Sequence, residues 1–277
     1  MTTVKGKAKV DYLGRSGLIS HPDVPENGFL YEVSSLAQEG RAVGDRIVLG
    51  DGRVFRYAKA AGHCSTGFGA KCTSVFKPLT LAASPAIGDT KVVVTGTAEL
   101  GTVETNELRG GLIVLHTDAG DKTHNGTIIG NSAGGNGDLI TLFLDRPIVQ
   151  RSFLSSGAAA GYVEIMRNPY SEMVGFPDAA DTFASHLGVP AAYATSGQFF
   201  WLQTWGPVWL TPGGGSPSGV GITANGREVV FVGDGSINSS KDAVIEDGYQ
   251  RAGFIIQKDP STPAGGGPPF VMLQISP

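Results

Sequence analysis

Only two cysteines occur in 277 residues, so neither a disulfide framework nor a four-cysteine zinc module holds this chain together. No apolar run approaches the roughly 18 residues of a membrane span, and positions 1–10 carry no apolar signal core. We expect a soluble protein made in the cytoplasm, with no membrane partner. Charge is scarce too: charged residues make up 17%, and 21 Lys plus Arg against 25 Asp plus Glu leave a net charge of −4. That balance gives the chain no general attraction for nucleic acid. Helical periodicity is almost absent, and no repeat period emerges, which disfavours a solenoid or propeller.

What is abundant is glycine, 41 residues of it, alongside 41% hydrophobic residues. Together they describe a turn-rich folded protein whose length is enough to bury a core without staples. Short β-branched or aromatic runs recur, each ended by Gly, Asn or Asp. Arg46-Ile47-Val48-Leu49-Gly50 and Arg53-Val54-Phe55-Arg56-Tyr57 flank Asp51-Gly52, which predicts a hairpin on a two-residue turn. A second hairpin is predicted from residues 221–224 through Asn225-Gly226 to 227–232. Between them lie strand signals at 91–94, 112–115, 127–129 and 139–144, separated by turns at 118–120, 125–126 and 134–137. Further strands are expected at 162–166, 199–205, 254–257 and 270–275, and short helical turns only near 34–38 and 178–187.

This spacing of turns marks barrels or sandwiches. We expect an all-β protein: two β-barrel or β-sandwich-like domains with an extended N-terminal arm and hairpin, and very little helix. Pro78, Asn168-Pro169-Tyr170 and the stretch 177–190 suggest three segments. These are an arm and hairpin over 1–77, a central β domain over 78–170 and a C-terminal β domain over 171–277.

A search for chemistry returns little. No serine sits in Gly-x-Ser-x-Gly, no Gly-x-Gly-x-x-Gly follows a strand, and no Walker loop or His-Glu-x-x-His occurs. His116 and His124 flank a proposed turn, but two imidazoles make an incomplete metal site. Asp118, Asp121, Asp138 and Asp145 cluster around the central turns, where Asp caps backbone amides; only Asp145 lacks that explanation as a hydrolase carboxylate. Cys64 and Cys72 lie beside His63, again too few ligands for zinc. They are a possible disulfide, worth about 2.5 kcal/mol by chain entropy, in an oxidising medium. We expect no cofactor, no metal and no catalysis.

Two non-catalytic features remain. Lys5, Lys7 and Lys9 alternate along the N-terminus and, with Tyr12, are candidate contacts of an arm; a solvated face is the plainer reading of the lysines. The run 199–210 holds all three tryptophans, and Phe199, Trp201, Trp205 and Trp209 share one parity in an extended chain. Such a row is a possible platform for stacking sugars. Phe200, Leu202, Val208 and Leu210 make the other face apolar as well, which favours core or a subunit contact.

Several stretches resemble a known family. They are Val43-Gly44-Asp45, Asp51-Gly52-Arg53-Val54-Phe55-Arg56-Tyr57-Ala58-Lys59-Ala60, Gly137-Asp138-Leu139-Ile140-Thr141-Leu142-Phe143-Leu144-Asp145-Arg146-Pro147, Asn168-Pro169-Tyr170 and Phe200-Trp201-Leu202-Gln203-Thr204-Trp205-Gly206. Over about residues 43–210 they resemble head-associated proteins of tailed bacteriophages, in structural motifs with no active-site signature. The resemblance implies a capsid decoration, or cement, protein: β-rich, commonly trimeric, bound outside the capsid to the major capsid protein. On that reading the chain is no enzyme and sits on the virion surface, with its N-terminal portion, about residues 1–60, against the head. Small decoration proteins are often half this length, so the extra C-terminal part leaves an alternative: a head-fibre or tail adhesin binding a host-surface carbohydrate.

Overall fold

The computed structural model describes residues 6–12, 15–21, 24–116, 123–149, 162–178, 184–213, 227–240, 250–257 and 269–276. These contain strands throughout and one short 3-10 helix, Val24–Tyr31, so the chain is nearly all β as expected. The N-terminal strands are β1 (Gly6–Tyr12), β2 (Arg15–His21), β3 (Arg46–Val48), β4 (Val54–Lys59) and β5 (Ala70–Cys72). Then come β6 (Lys77–Leu81), β7 (Lys91–Thr95), β8 (Leu112–His116), β9 (Thr123–Asn131), β10 (Leu139–Leu144) and β11 (Tyr162–Met166). The chain ends with β12 (Met173–Val174), β13 (His186–Pro190), β14 (Phe199–Trp209), β15 (Glu228–Phe231), β16 (Ile237–Ser239), β17 (Arg251–Gln257) and β18 (Phe270–Gln274).

They form two domains, Ser74–Pro169 and the combined segments Met1–Thr73 and Tyr170–Pro277. The first domain is a closed antiparallel barrel in the order β10-β7-β6-β11-β8-β9. Its strands read apolar at alternate positions, which turns Val92, Val94, Ile113, Leu115, Ile140, Leu142, Val163 and Ile165 into one interior cluster. Asn125-Gly126, expected as a turn, instead lies inside β9. A β-carbon at Gly126 would lie in ordinary contact with Ile113 at 3.4 Å and slightly close to Asp145 Oδ1 at 3.3 Å, so the residue sits in the strand with its partners around it. Leu144 pairs with Ile128 while Phe143 pairs with Gly130, which leaves Ile129 as the extra residue of a β-bulge.

The second domain is where sequence segmentation failed, since the arm-and-hairpin and C-terminal segments share one sheet. Its strand path is β16-β15-β17-β18-β14-β4-β3-β1-β2, with β13 joining β14 to β5 and β12 beside β5. The cause is β14, an eleven-residue strand that pairs with β4 on one side and β18 on the other. Among the described residues the N-terminal segment is paired and forms no free arm. Lys7, Lys9 and Tyr12 lie on β1, which pairs with β2 throughout and with β3 from Lys9 to Asp11. Lys5 lies outside the described residues.

The first hairpin forms, with Val48 opposite Val54, but on a three-residue loop. The Leu49 N–H donates to Arg53 O, the Gly52 N–H to Leu49 O, and only Gly52 of the Asp-Gly pair has positive φ, at 86°. The Asp51 carboxylate accepts the Arg53 N–H, which caps this turn in place of the expected two-residue one. The second hairpin's turn and first arm lie outside the described residues. In any case β15 is flanked by β16 and β17 on its two edges. Residues 34–38 are not helical; Ser34 makes an antiparallel bridge with Phe199 instead. Near 178–187 the described part becomes β13 from His186 onward.

Candidate ligand groove

The tryptophan row divides because β14 is bulged. Gln203 pairs with Phe55 and Trp205 with Val54, so Thr204 is an extra residue and the parity of the run changes there. Trp201 is 0% exposed, tilted against Tyr57 at 5.0 Å and part of a cluster with Leu30, Ile47, Leu49 and Phe55. Trp205 is half-buried, while Trp209, at the strand's end, remains 40% exposed. The three do not make one platform, and Trp201 alone of them is fully buried in the core.

Trp209 opens onto a groove of about 250 Å³ whose walls include Tyr31, Arg53, Phe55, Gln203 and Phe270. Its indole is seated on Gly67. A β-carbon there would fall 2.0 Å from Trp209 Cζ3, and Gly67 also has a φ of 77°, so glycine is required twice over. Thr211 N–H donates to Gly67 O at 2.8 Å, tying this turn to the segment just after the tryptophan. Tyr31 and Phe270 are more than half exposed at the rim.

Polar groups in the groove are fixed as firmly as the rings. Arg53 Nε donates to Asp51 Oδ2 at 2.7 Å, and its guanidinium lies 5.8 Å from the Phe55 ring centre. Burial tends to raise the Asp51 pKa. The Arg53 backbone N–H and guanidinium outweigh it and hold the carboxyl below its ordinary value. Gln203 Nε2 donates to the carbonyls of Trp205 at 3.2 Å and Pro207 at 2.9 Å, which orients the amide and leaves Oε1 as its acceptor. Sequence reading missed Tyr31, Arg53, Gln203 and Phe270. The one local signal was Gly67, in a stretch that drew attention only for its cysteines.

Those cysteines are buried and are not joined in a disulfide. Each is committed to Met173: Cys64 Sγ donates to Met173 O at 3.5 Å, and Cys72 is the ladder partner of Met173 across β5 and β12. Burial, with Asp178 nearby, pushes the Cys64 thiol up to about 12, which opposes both thiolate attack and metal ligation. Beside it, Asp178 Oδ2 meets His63 Nδ1 at 2.6 Å and accepts the His63 N–H at 2.8 Å. These bonds, the backbone one foremost, hold the Asp178 carboxyl low.

Asp145 and Asp138 cap backbone amides of the barrel. Asp145 Oδ1 accepts the Thr127 N–H at 2.9 Å where the β9–β10 bulge breaks the ladder, and Asp138 Oδ2 caps Gly135 at 2.8 Å. Asp118 and Asp121 lie outside the described residues. His116 and His124 do not converge: β8 and β9 pair Leu115 with His124 and His116 with Thr123, so the imidazoles take opposite faces. His116 meets Glu164 at 3.3 Å, whereas His124 is buried, and desolvation lowers its pKa.

No protein-family model, characterised protein or solved structure matches the chain.

Proposed function

We propose that this chain is a structural virion protein, a decoration protein that binds the outer surface of a tailed-phage head as a trimer and clamps its capsid subunits. The family resemblance suggests the reading, and the observation that supports it most moves the docking face from residues 1–60 to the barrel: its apolar outer wall. Ile129, Phe143, Leu139 and Leu112 are all exposed there, Leu139 at 63%, although the interior is already filled by other side chains. Large apolar side chains retained outside a complete core suit a chain that works by docking. Interfaces of about 1,600 Å², multiplied by trimer avidity, are enough to clamp a shell without chemistry. Two measurements test this: native mass spectrometry, expected to report three subunits, and co-sedimentation with undecorated heads. Phe143→Asp and Leu139→Asp leave the barrel interior intact and should abolish co-sedimentation. Unchanged binding by both variants, or localisation of the intact chain to tails alone in particle imaging, overturns the reading.

The adhesin alternative draws support from a different place, the aromatic groove of the other domain. A decorated head that also touches its host combines the two without conflict.

A further inference from the structure

We propose that the groove between Trp209, Arg53 and Gln203 is a binding site for a single pyranose ring of a surface polysaccharide; this rests on the adhesin reading. A pyranose presents an apolar C–H face and a rim of hydroxyls, and the groove supplies a counterpart to each.

The indole of Trp209 is held on the Gly67 backbone, where any side chain at position 67 would dislodge it, yet 40% of the residue stays exposed. That is a rigid platform prepared for stacking, since a purely structural tryptophan gains by burial. Gln203 is buried, and both donors of its amide are spent on the Trp205 and Pro207 carbonyls, so Oε1 is oriented to accept from a hydroxyl. Arg53 is fixed through Nε by Asp51, which leaves its terminal nitrogens as donors. An acceptor and a forked donor beside an aromatic face match adjacent hydroxyls on one ring. Asp51 offsets the guanidinium charge, which suits a neutral sugar over a uronate. A volume near 250 Å³ is just below the range of drug-sized pockets, about 300–1,000 Å³, and fits one ring.

The test is a fluorescence titration of the full chain with the methyl glycosides of glucose, galactose, mannose, N-acetylglucosamine and rhamnose. Trp201 is buried and Trp205 half-buried, so the part of the quenching that is lost in Trp209→Ala reports on the groove. At least one glycoside should quench saturably with a Kd of about 1 mM, the scale expected of a ligand this small. Trp209→Ala should abolish the signal, and Arg53→Ala, at a partly buried position whose side chain is bonded to Asp51, should weaken binding about tenfold or more while the variant still unfolds in a single cooperative transition. No saturable quenching by any glycoside, or binding that survives in Trp209→Ala by calorimetry, overturns the assignment. So does quenching by a proline-rich decapeptide where every glycoside fails, which would make the groove a peptide site. Loss of head co-sedimentation in Trp209→Ala without sugar binding would make it a capsid contact. Failure of the sugar site leaves the barrel-face variants to decide decoration separately.

Discussion

Acid should unfold this protein partly through one imidazole. His186 begins β13, where its N–H donates to Gln250 Oε1 at 2.6 Å and its carbonyl accepts from Gln250 Nε2 at 2.7 Å. The ring stacks on Phe231 at 4.6 Å and is buried beside Lys71, and its Nε2 has no hydrogen-bond partner. Desolvation first, and the Lys71 charge second, lower its pKa to about 3 against a partial opposing pull from Asp234. The folded state therefore keeps the ring neutral, while the unfolded chain takes up a proton below about pH 6.5. Stability is fully present above that point and falls as pH drops towards about 3, by about 1.4 kcal/mol per pH unit. At pH 5 the loss from this residue alone is about 2 kcal/mol. His186→Phe keeps the stacking partner and the Gln250 clamp on the backbone and removes the titration. Urea unfolding of both proteins at about pH 7.5 and pH 5 should show the native chain losing about 2 kcal/mol more than the variant. Acid-sensitive groups common to both, Asp51, His124 and Asp178 among them, cancel in that difference. Equal losses would refute the argument and mean that the ring is solvated in the folded state.

Three further outcomes follow from single contacts. Trp201→Ala empties the centre of the β4–β14 core and should cost about 3–5 kcal/mol in denaturant unfolding. Gly253→Ala places a β-carbon 1.9 Å from the Met272 carbonyl oxygen at a φ of 148°, so the β17–β18 pairing must shift, at about 3 kcal/mol or more, read as a lowered melting temperature. Asp145→Ala deprives the Thr127 N–H of its acceptor and should lower stability by about 1 kcal/mol; a glycoside-hydrolysis assay should read the same blank before and after the change.

Much of the strand inventory was legible because barrel strands carry their own signature. Leu112–His116, Leu139–Leu144 and residues 163–166 each alternate between a filled interior and an outer wall, and that period of two survives in the bare sequence. Turn chemistry was less transferable. Asn-Gly at 125–126 and Asp-Gly at 51–52 are the same kind of signal, yet one lies inside a strand and the other closes a hairpin. What separates them is distant: Asn125 and Gly126 are held in a strand by pairing with Val114 and Ile113 across β8, and nothing local encodes that partner. Domain boundaries were opaque for the same reason. Between β4 and β14 the chain builds the entire barrel, and a pairing across that much sequence is carried by burial of Phe55, Tyr57 and Trp201 together, which reads locally as three ordinary strand residues.

The groove was hidden by a one-residue irregularity. Under strict alternation Trp201 and Trp209 share a face and a fate; the extra residue at Thr204 separates the tryptophan that fills the core from the one that faces out. A bulge costs a ladder bond and serves here to re-aim the end of a long strand, so its position is tied to Trp209 and Gly67 as one device. The two sites also differ in what they ask of the scaffold. A docking wall on a barrel tolerates exchange among large apolar residues, whereas a sugar platform requires Gly67, Trp209, Gln203 and the Asp51–Arg53 pair together. Large-to-small apolar substitution at the first should therefore weaken binding in proportion to the apolar area removed, whereas a charge placed there abolishes it; at the second, loss of the Trp209 ring should remove binding in one step and loss of a polar partner should weaken it about tenfold.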